Sequence, residues 1–469
     1  MDSVPNRRHS STTPLRSPQQ LVSQPFRSSY IMFQLPSFKL PFFGGKHSGN
    51  HPSIDLPSVP VYDVETEVEK RGRRLKHLLK ANHANHSIIY HDLRFHNHCP
   101  HILGSAYVLG GTAEHLNDIY EEESETLEPW HDSPSEISAD DWRDFLGRRE
   151  YQRAYVDFFE DQLVAMRYDW KGLLEKYLFE GKEPLVNGLV SGLAHPLIHL
   201  GYAYELNSRT IAIEALALGT CFYSSLHKYL DDPSYTKIGD FKSSSLLEIL
   251  QRVKEDKRLD GLYTHRSGDI SKFLTEKEDV FLEYWNAWDL SSSNPKEQFE
   301  DSPRTAVAVL MATEPPAEGG AKFDFFFVHL LTSSHAVRIL LPLIPKKFHI
   351  GLVRQWWLFA LAVYVAQMRP TIDLDTIKSY DLKGRAWKYV TDKALNSEYS
   401  LDAHFVKALR SMHVASETWG DKDEYYLKAA VKFAEGFEHW GGFGAEADGH
   451  SEGDGRGKSK YGYPEQQGL

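Results

Sequence analysis

Between residues 60 and 440 apolar residues recur mostly at helical spacing rather than in alternation, which is the mark of amphipathic helices and not of half-buried strands. The segments 64–82, 140–166, 211–230, 277–290, 323–344, 351–367 and 402–414 each predict a helix of three or more turns. Ser138, ahead of Asp140 and Asp141, and Asp402, at the head of DAHFVKAL, are compatible with N-caps, whose side-chain oxygens accept from the free backbone N–H groups of a first turn. Alternating runs bounded by hairpin turns are nearly absent, and the pair Asp260 and Gly261 lacks flanking strands. The expectation is an all-α fold: one multi-helix globular domain over 59–440, with disordered extensions at 1–58 and 441–469. The Pro- and Gly-bearing stretch 302–322 predicts a long surface loop, and there is no repeat period.

Composition narrows the class. A hydrophobic fraction of 41% suffices for a core, and a net charge of -12 argues against binding nucleic acid through basic charge. Residues 1–50 stand apart: Arg7, Arg8, Arg16, Arg27, Lys39 and Lys46 face only Asp2, so this stretch is +5 and the remainder -17. A start rich in Arg and Ser and poor in acids fits a mitochondrial transit peptide, or a plain disordered extension. Cys99 and Cys221 are too few for a disulfide framework, so a cytoplasmic location is expected, with organelle targeting as the alternative. The Gly-rich, charged run from Gly441 buries too little to offset its ordering entropy. The best membrane candidate, 185–204, contains Asn187, His195, Pro196 and His199, so no integral membrane segment is expected.

Histidine carries the chemical signal. With 23 in 469 residues, a 19-residue window should hold about one, yet 83–101 holds His83, His86, His91, His96, His98 and His101. Neutral imidazole is a common ligand for borderline metals, and His98 and His101 share a face if Pro100 opens a helix there. A polar loop of solvated histidines is the plainer explanation for any one of them. In GLAHPLIHLGYAYE, His195 and His199 lie four apart at a helix start marked by Pro196, and two inward imidazoles need partners, either a metal or backbone carbonyls. In FFFVHLLTSSHAVRILLP, His329 and His335 are about 120° apart around a helix, so one of them faces the site. His335 is preferred, because Thr332, Ser333, Ser334 and Arg338 surround it with polar groups. In DAHFVKAL, His404 and Lys407 share a face; Lys407 either reaches to solvent or, carbamylated by CO2, supplies an anionic oxygen ligand.

Several absences matter. There is no G-x-G-x-x-G after a strand for FAD or NADPH, no P-loop, no HExxH, no CxxC and no G-x-S-x-G. The dipeptide His91-Asp92 suggests HD-type helical metal hydrolases, on slight grounds. The aromatic runs at 323–327 and 354–364 could line a pocket for a planar substrate, or simply be core.

Taken together, NHxxxxYHDxRFHNHCPHILGSAYVLGG, GLAHPLIHLGYAYE, FFFVHLLTSSHAVRILLP, YVAQMRP and DAHFVKALRS resemble the questin oxidase-like family of fungal proteins over most of 75–415. The resemblance implies an oxidoreductase of secondary metabolism that uses O2, often with NADPH, for Baeyer-Villiger-type oxygen insertion or oxidative ring cleavage of polyketide-derived aromatics such as anthraquinones. The family's His-bearing motifs fall on His98 and His101, His195 and His199, His335, and His404 with Lys407. Joined to the residue reading, this gives a redox metal, non-heme iron for choice, held by His98, His195, His335, His404 and Lys407. His101 and His199 are then acid/base or supporting groups, and Arg338 holds a phenolate or carboxylate. The alternatives are an HD-like metal-dependent phosphohydrolase and a non-enzymatic helical scaffold.

Overall fold

The computed structural model describes residues 53–443 apart from Ile238, 291–294 and 313–322. The predicted terminal extensions lie almost wholly outside the described residues. Within them the fold is all-α: eighteen α-helices and four strands of two residues each. Ile89–Tyr90 pairs antiparallel with Phe95–His96, and Phe323–Asp324 pairs parallel with Trp440–Gly441.

Burial follows the sequence pattern. Lys70–Asn85 buries Gly72, Leu75, Leu78, Leu79 and Asn82, one stripe of an outer helix. Phe325–Leu340 is buried at every position, as is Arg209–Cys221 beyond its first residue, so both are interior helices. His195–Glu205 packs between these two, while Ala403–Trp419 packs on Cys99–Val108 and Phe325–Leu340. The approach is tight at Gly201, where a Cβ would lie 3.0 Å from that of Ala336. Pro100 and Pro196 both occupy first-turn positions, where no N–H is needed, and the Asp402 carboxylate accepts from the N–H groups of His404 and Phe405, both at 2.8 Å.

Two predicted segments differ. The 140–166 helix is two 3-10 turns, Trp142–Phe145 and Arg149–Tyr151, followed by the helix Gln152–Ala165, because Gly147 turns the chain at φ +81°. Ser138 heads no α-helix; its N–H and hydroxyl donate to Asp141 Oδ1 at 2.7 and 2.8 Å, and its Oγ accepts from the Asp140 N–H at 3.3 Å in a local turn. The first half of the supposed loop 302–322 is the end of the helix Pro295–Met311, with Pro303 inside it. An interior proline costs about 3 kcal/mol. Burial of Val307, Val309 and Leu310, at about 1.5–3 kcal/mol each, outweighs it. Among the described residues one helical stretch, Lys346–Ala366, is long and apolar enough to cross a membrane, and 78% of its most apolar window is buried within the fold.

Candidate metal centre

Four helices bring an imidazole each to one point. His98 caps Cys99–Val108, His195 opens His195–Glu205, His329 sits one turn into Phe325–Leu340, and His404 lies in the first turn of Ala403–Trp419. One ring nitrogen from each lies within 4.8 Å of all the others. His98 Nε2 and His195 Nε2 are 2.9 Å apart, and His329 Nε2 and His404 Nε2 3.2 Å. For metal–nitrogen bonds of about 2.1 Å, neighbouring ligand nitrogens stand about 3.0 Å apart and opposite ones about 4.2 Å. The two short pairs match neighbouring ligands, and the 4.8 Å spread would close by about 0.6 Å around one ion.

The surroundings orient the donors. His195 Nδ1–H donates to the carbonyl of Gly192 and His329 Nδ1–H to that of Phe325, both at 2.8 Å, which leaves each Nε2 with a bare lone pair. The Gly192 carbonyl is placed by a left-handed turn: Gly192, Leu193 and Ala194 have φ of 58°, 51° and 60°. The two non-glycine residues pay roughly 1–2 kcal/mol each for that shape. Glycine is required at 192, since a Cβ there would come within 2.7 Å of Phe222 and 3.1 Å of His96 Nε2. His96 stacks on His195, ring centroids 3.7 Å apart and 3° from parallel. Phe325 packs against both His329 and His404 at 4.8 and 4.7 Å, and Asp402 also accepts from the Trp440 indole at 3.0 Å.

Burial, reinforced by the Lys407 ammonium, holds His98 and His404 well below their usual basicity and His329 down to about 3. Burial first, and then the neighbouring His96 and His98, do the same to His195. All four are therefore neutral, the form that binds metal. Lys407 is itself buried, with no hydrogen-bond partner for its Nζ, and burial lowers it to about 7 against the opposing pull of Asp402 and Glu123.

Of the expected ligands, His98, His195 and His404 meet, with Lys407 close enough to act on their charge. His335 does not join them; His329 does. The hydroxyls that flank His335 serve other bonds: Ser333 Oγ donates to the His329 carbonyl at 2.6 Å, and Ser334 Oγ pairs with Ser302 Oγ at 3.1 Å. His335 keeps an unpartnered Nε2, and burial with the charges of Arg410 and Arg338 depresses its basicity. Arg338, nine residues after His329 and so on the opposite side of the helix, donates from Nε to Thr418 Oγ1 at 3.3 Å. His101 and His199 hydrogen-bond each other at 2.8 Å, and His101 lies edge-on to His98. His91 and Asp92 occupy a left-handed turn at φ 55° and 57°, outside the four-residue group. The aromatic run at 323–327 borders the site through Phe325. The one at 354–364 is core, Trp357 packing on Trp288.

Two further residues of this region carry a signal in the sequence. Glu214 is the lone acid in the apolar helix RTIAIEALALGTC, and such a charge requires a partner. Gly192 precedes the first helical histidine by three residues. A cavity of about 520 Å³, lined by Arg149, Ser191, Gly192, Phe222 and Tyr223 among others, borders that turn.

An all-α body enclosing four neutral imidazoles defines a helical protein with a metal-competent centre. Residues 95–412 match the questin oxidase-like family, and the chain belongs to that family. It is 24% identical over 384 residues to a Baeyer-Villiger oxidase of Pestalotiopsis microspora, covering 76% of this chain and 82% of the relative. It is 24% identical over 376 residues to the Baeyer-Villiger oxidase mdpL of Emericella nidulans, covering 75% and 84%. With the questin oxidase of Aspergillus fumigatus it shares 25% over 287 residues, 56% of this chain and 63% of that one. The family is one of oxidoreductases.

Proposed function

We propose that this protein is an O2-consuming oxygenase of fungal secondary metabolism, acting in the cytoplasm on a polyketide-derived aromatic of the anthraquinone kind. It inserts oxygen beside a ring carbonyl in Baeyer-Villiger fashion, or cleaves the ring oxidatively. The observation that carries this reading is the convergence of four neutral imidazoles within 4.8 Å. Triplet O2 reacts slowly with closed-shell organic molecules, and a redox metal, iron for choice, held by His98, His195, His329 and His404 would supply the one-electron chemistry. Lys407, carbamylated, would add an oxygen donor; as the free amine, with a pKa near 7, it would serve as an acid or base.

The chain's own groups do the rest. Phe325 and Trp440, beside His404, present apolar edges to a planar ring and keep water from the centre. His101 holds a bare Nδ1 able to take a phenolic proton. For a monooxygenase the substrate and O2 give the inserted product and water with one NADPH oxidised; for a dioxygenase both oxygen atoms enter the product and NADPH is untouched.

The test is elemental analysis of protein made without a His tag, then an oxygen-electrode assay with an anthraquinone, with and without NADPH. Metal-dependent O2 uptake with a ring-opened or lactone product is expected, and NADPH oxidation separates the two stoichiometries. Phosphodiester hydrolysis with manganese and no O2 uptake, or protein holding no stoichiometric metal, would overturn the proposal.

A further inference from the structure

A second polar system runs outward from the cluster. His101 Nε2 meets His199 Nδ1 at 2.8 Å; His199 Nε2 meets Glu214 Oε2 at 2.9 Å; Glu214 Oε1 meets His83 Nδ1 at 2.8 Å; and His83 Nε2 meets Glu160 Oε1 at 3.1 Å. Five residues on five different helices thus form one unbroken chain. Side-chain exposure rises along it, from 1% at His199 and Glu214 to 12% at His83 and 46% at Glu160, so it begins in the core and ends in water.

The chain's chemistry sets its protons. A carboxylate only accepts, so His199 Nε2 carries a hydrogen; in the tautomer with that single ring hydrogen, its Nδ1 accepts from His101 Nε2–H. His101 Nδ1 is then a bare lone pair, and it is buried with no partner. At the other end both nitrogens of His83 face carboxylates, so both carry hydrogen and the ring is an imidazolium. Burial disfavours that charge, but the hydrogen bonds to Glu160 and Glu214 outweigh it and raise His83 to about 9. Its carbonyl accepts from the Trp130 indole at 2.9 Å. The charged groups facing the ring are these two acids, on Gln152–Ala165 and Arg209–Cys221.

We propose that His101, His199, Glu214, His83 and Glu160 form a proton path between the histidine cluster and solvent. A proton taken at His101 Nδ1 displaces the Nε2 proton onto His199 Nδ1, and the His199 Nε2 proton moves to Glu214. Protonated Glu214 no longer holds the second proton on His83, which leaves from Nε2 through Glu160 to water. One proton enters and one leaves. Its use in catalysis rests on the oxygenase reading; the path itself does not.

The experiment is hydrogen–deuterium exchange of the His199 Nε2–H in full-length, 15N-histidine-labelled protein, followed by NMR. In His83→Gln, which keeps hydrogen-bonding groups but cannot relay, exchange slows by about tenfold or more. Glu160→Gln, a surface change that leaves the core intact, slows it in the same direction. A variant that merely loosens the fold exchanges faster, so unchanged or faster exchange in both would overturn the path. In turnover, His83→Gln lowers kcat by about 10²-fold at unchanged KM and metal content, and added imidazole restores it. If the parent protein consumes no O2, the oxygenase reading fails while the exchange result still decides the path. Normal exchange with normal O2 uptake removes the path alone.

Discussion

Consider stability as a function of pH at His83. Its folded-state pKa is raised from 6.5 to about 9, because its hydrogen bonds to Glu160 and Glu214 outweigh the cost of burial. The folded protein holds that proton more tightly than the unfolded chain. The contribution is complete below about pH 6.5 and is lost as pH rises through about 9. A shift of that size corresponds to roughly 3 kcal/mol. Glu214, raised by burial but taken down to about 2 by its hydrogen bonds to His199 and His83, titrates far below this window and adds nothing to the change across it. Urea denaturation of the parent and of His83→Gln at a series of pH values isolates the term, since the other titrations that the substitution alters, those of Glu160 and Glu214, lie below this window in the parent. The stability gap should be widest at pH 6.5 and narrow by roughly 3 kcal/mol by pH 9 and above. A gap that stays flat across that window would refute the paired imidazolium, and with it the proton assignment of the outward chain.

Other perturbations follow from the same structure. Lys407→Met removes a buried, unpartnered amine and should raise the melting temperature of the chelator-treated protein, by the equivalent of about 1–3 kcal/mol, while weakening metal retention; a fall in melting temperature would contradict this. Gly192→Ala puts a Cβ within 2.7 Å of Phe222 at positive φ and should cost at least about 1–2 kcal/mol and lower metal affinity by displacing the carbonyl that orients His195; unchanged metal binding would count against that role. Arg410→Met strips the buried Glu205 carboxylate of its ion-pair partner and should destabilise the fold by about 3–5 kcal/mol in urea denaturation, with a near-neutral result contradicting the pair.

Much of this was legible in the chain, for identifiable reasons. Apolar period, the Asp402 cap and the first-turn prolines are local signals, and they located the helices that carry His98, His195 and His404. Pro303 misled because tertiary burial of the residues after it outweighs a local break. The choice between His329 and His335 failed on a similar point. A polar flank suggests a site, but serine hydroxyls in a helix can be satisfied by their own backbone, as at Ser333, while a histidine of the cluster can sit among phenylalanines when its Nδ1–H bonds the carbonyl four residues back. Glu214 was visible as a misplaced charge, but its pairing with His199 and His83 joins residues 15 and 131 apart, and no local pattern predicts that.

The central claim is a single ion held by four named imidazoles, and metal analysis of untagged full-length protein with two substitutions in one helix tests it most directly. The parent should hold one ion per chain, His335→Ala should keep it, and His329→Ala should lose it with its helicity unchanged. Metal retained by His329→Ala, or lost only in His335→Ala, would contradict the centre described above.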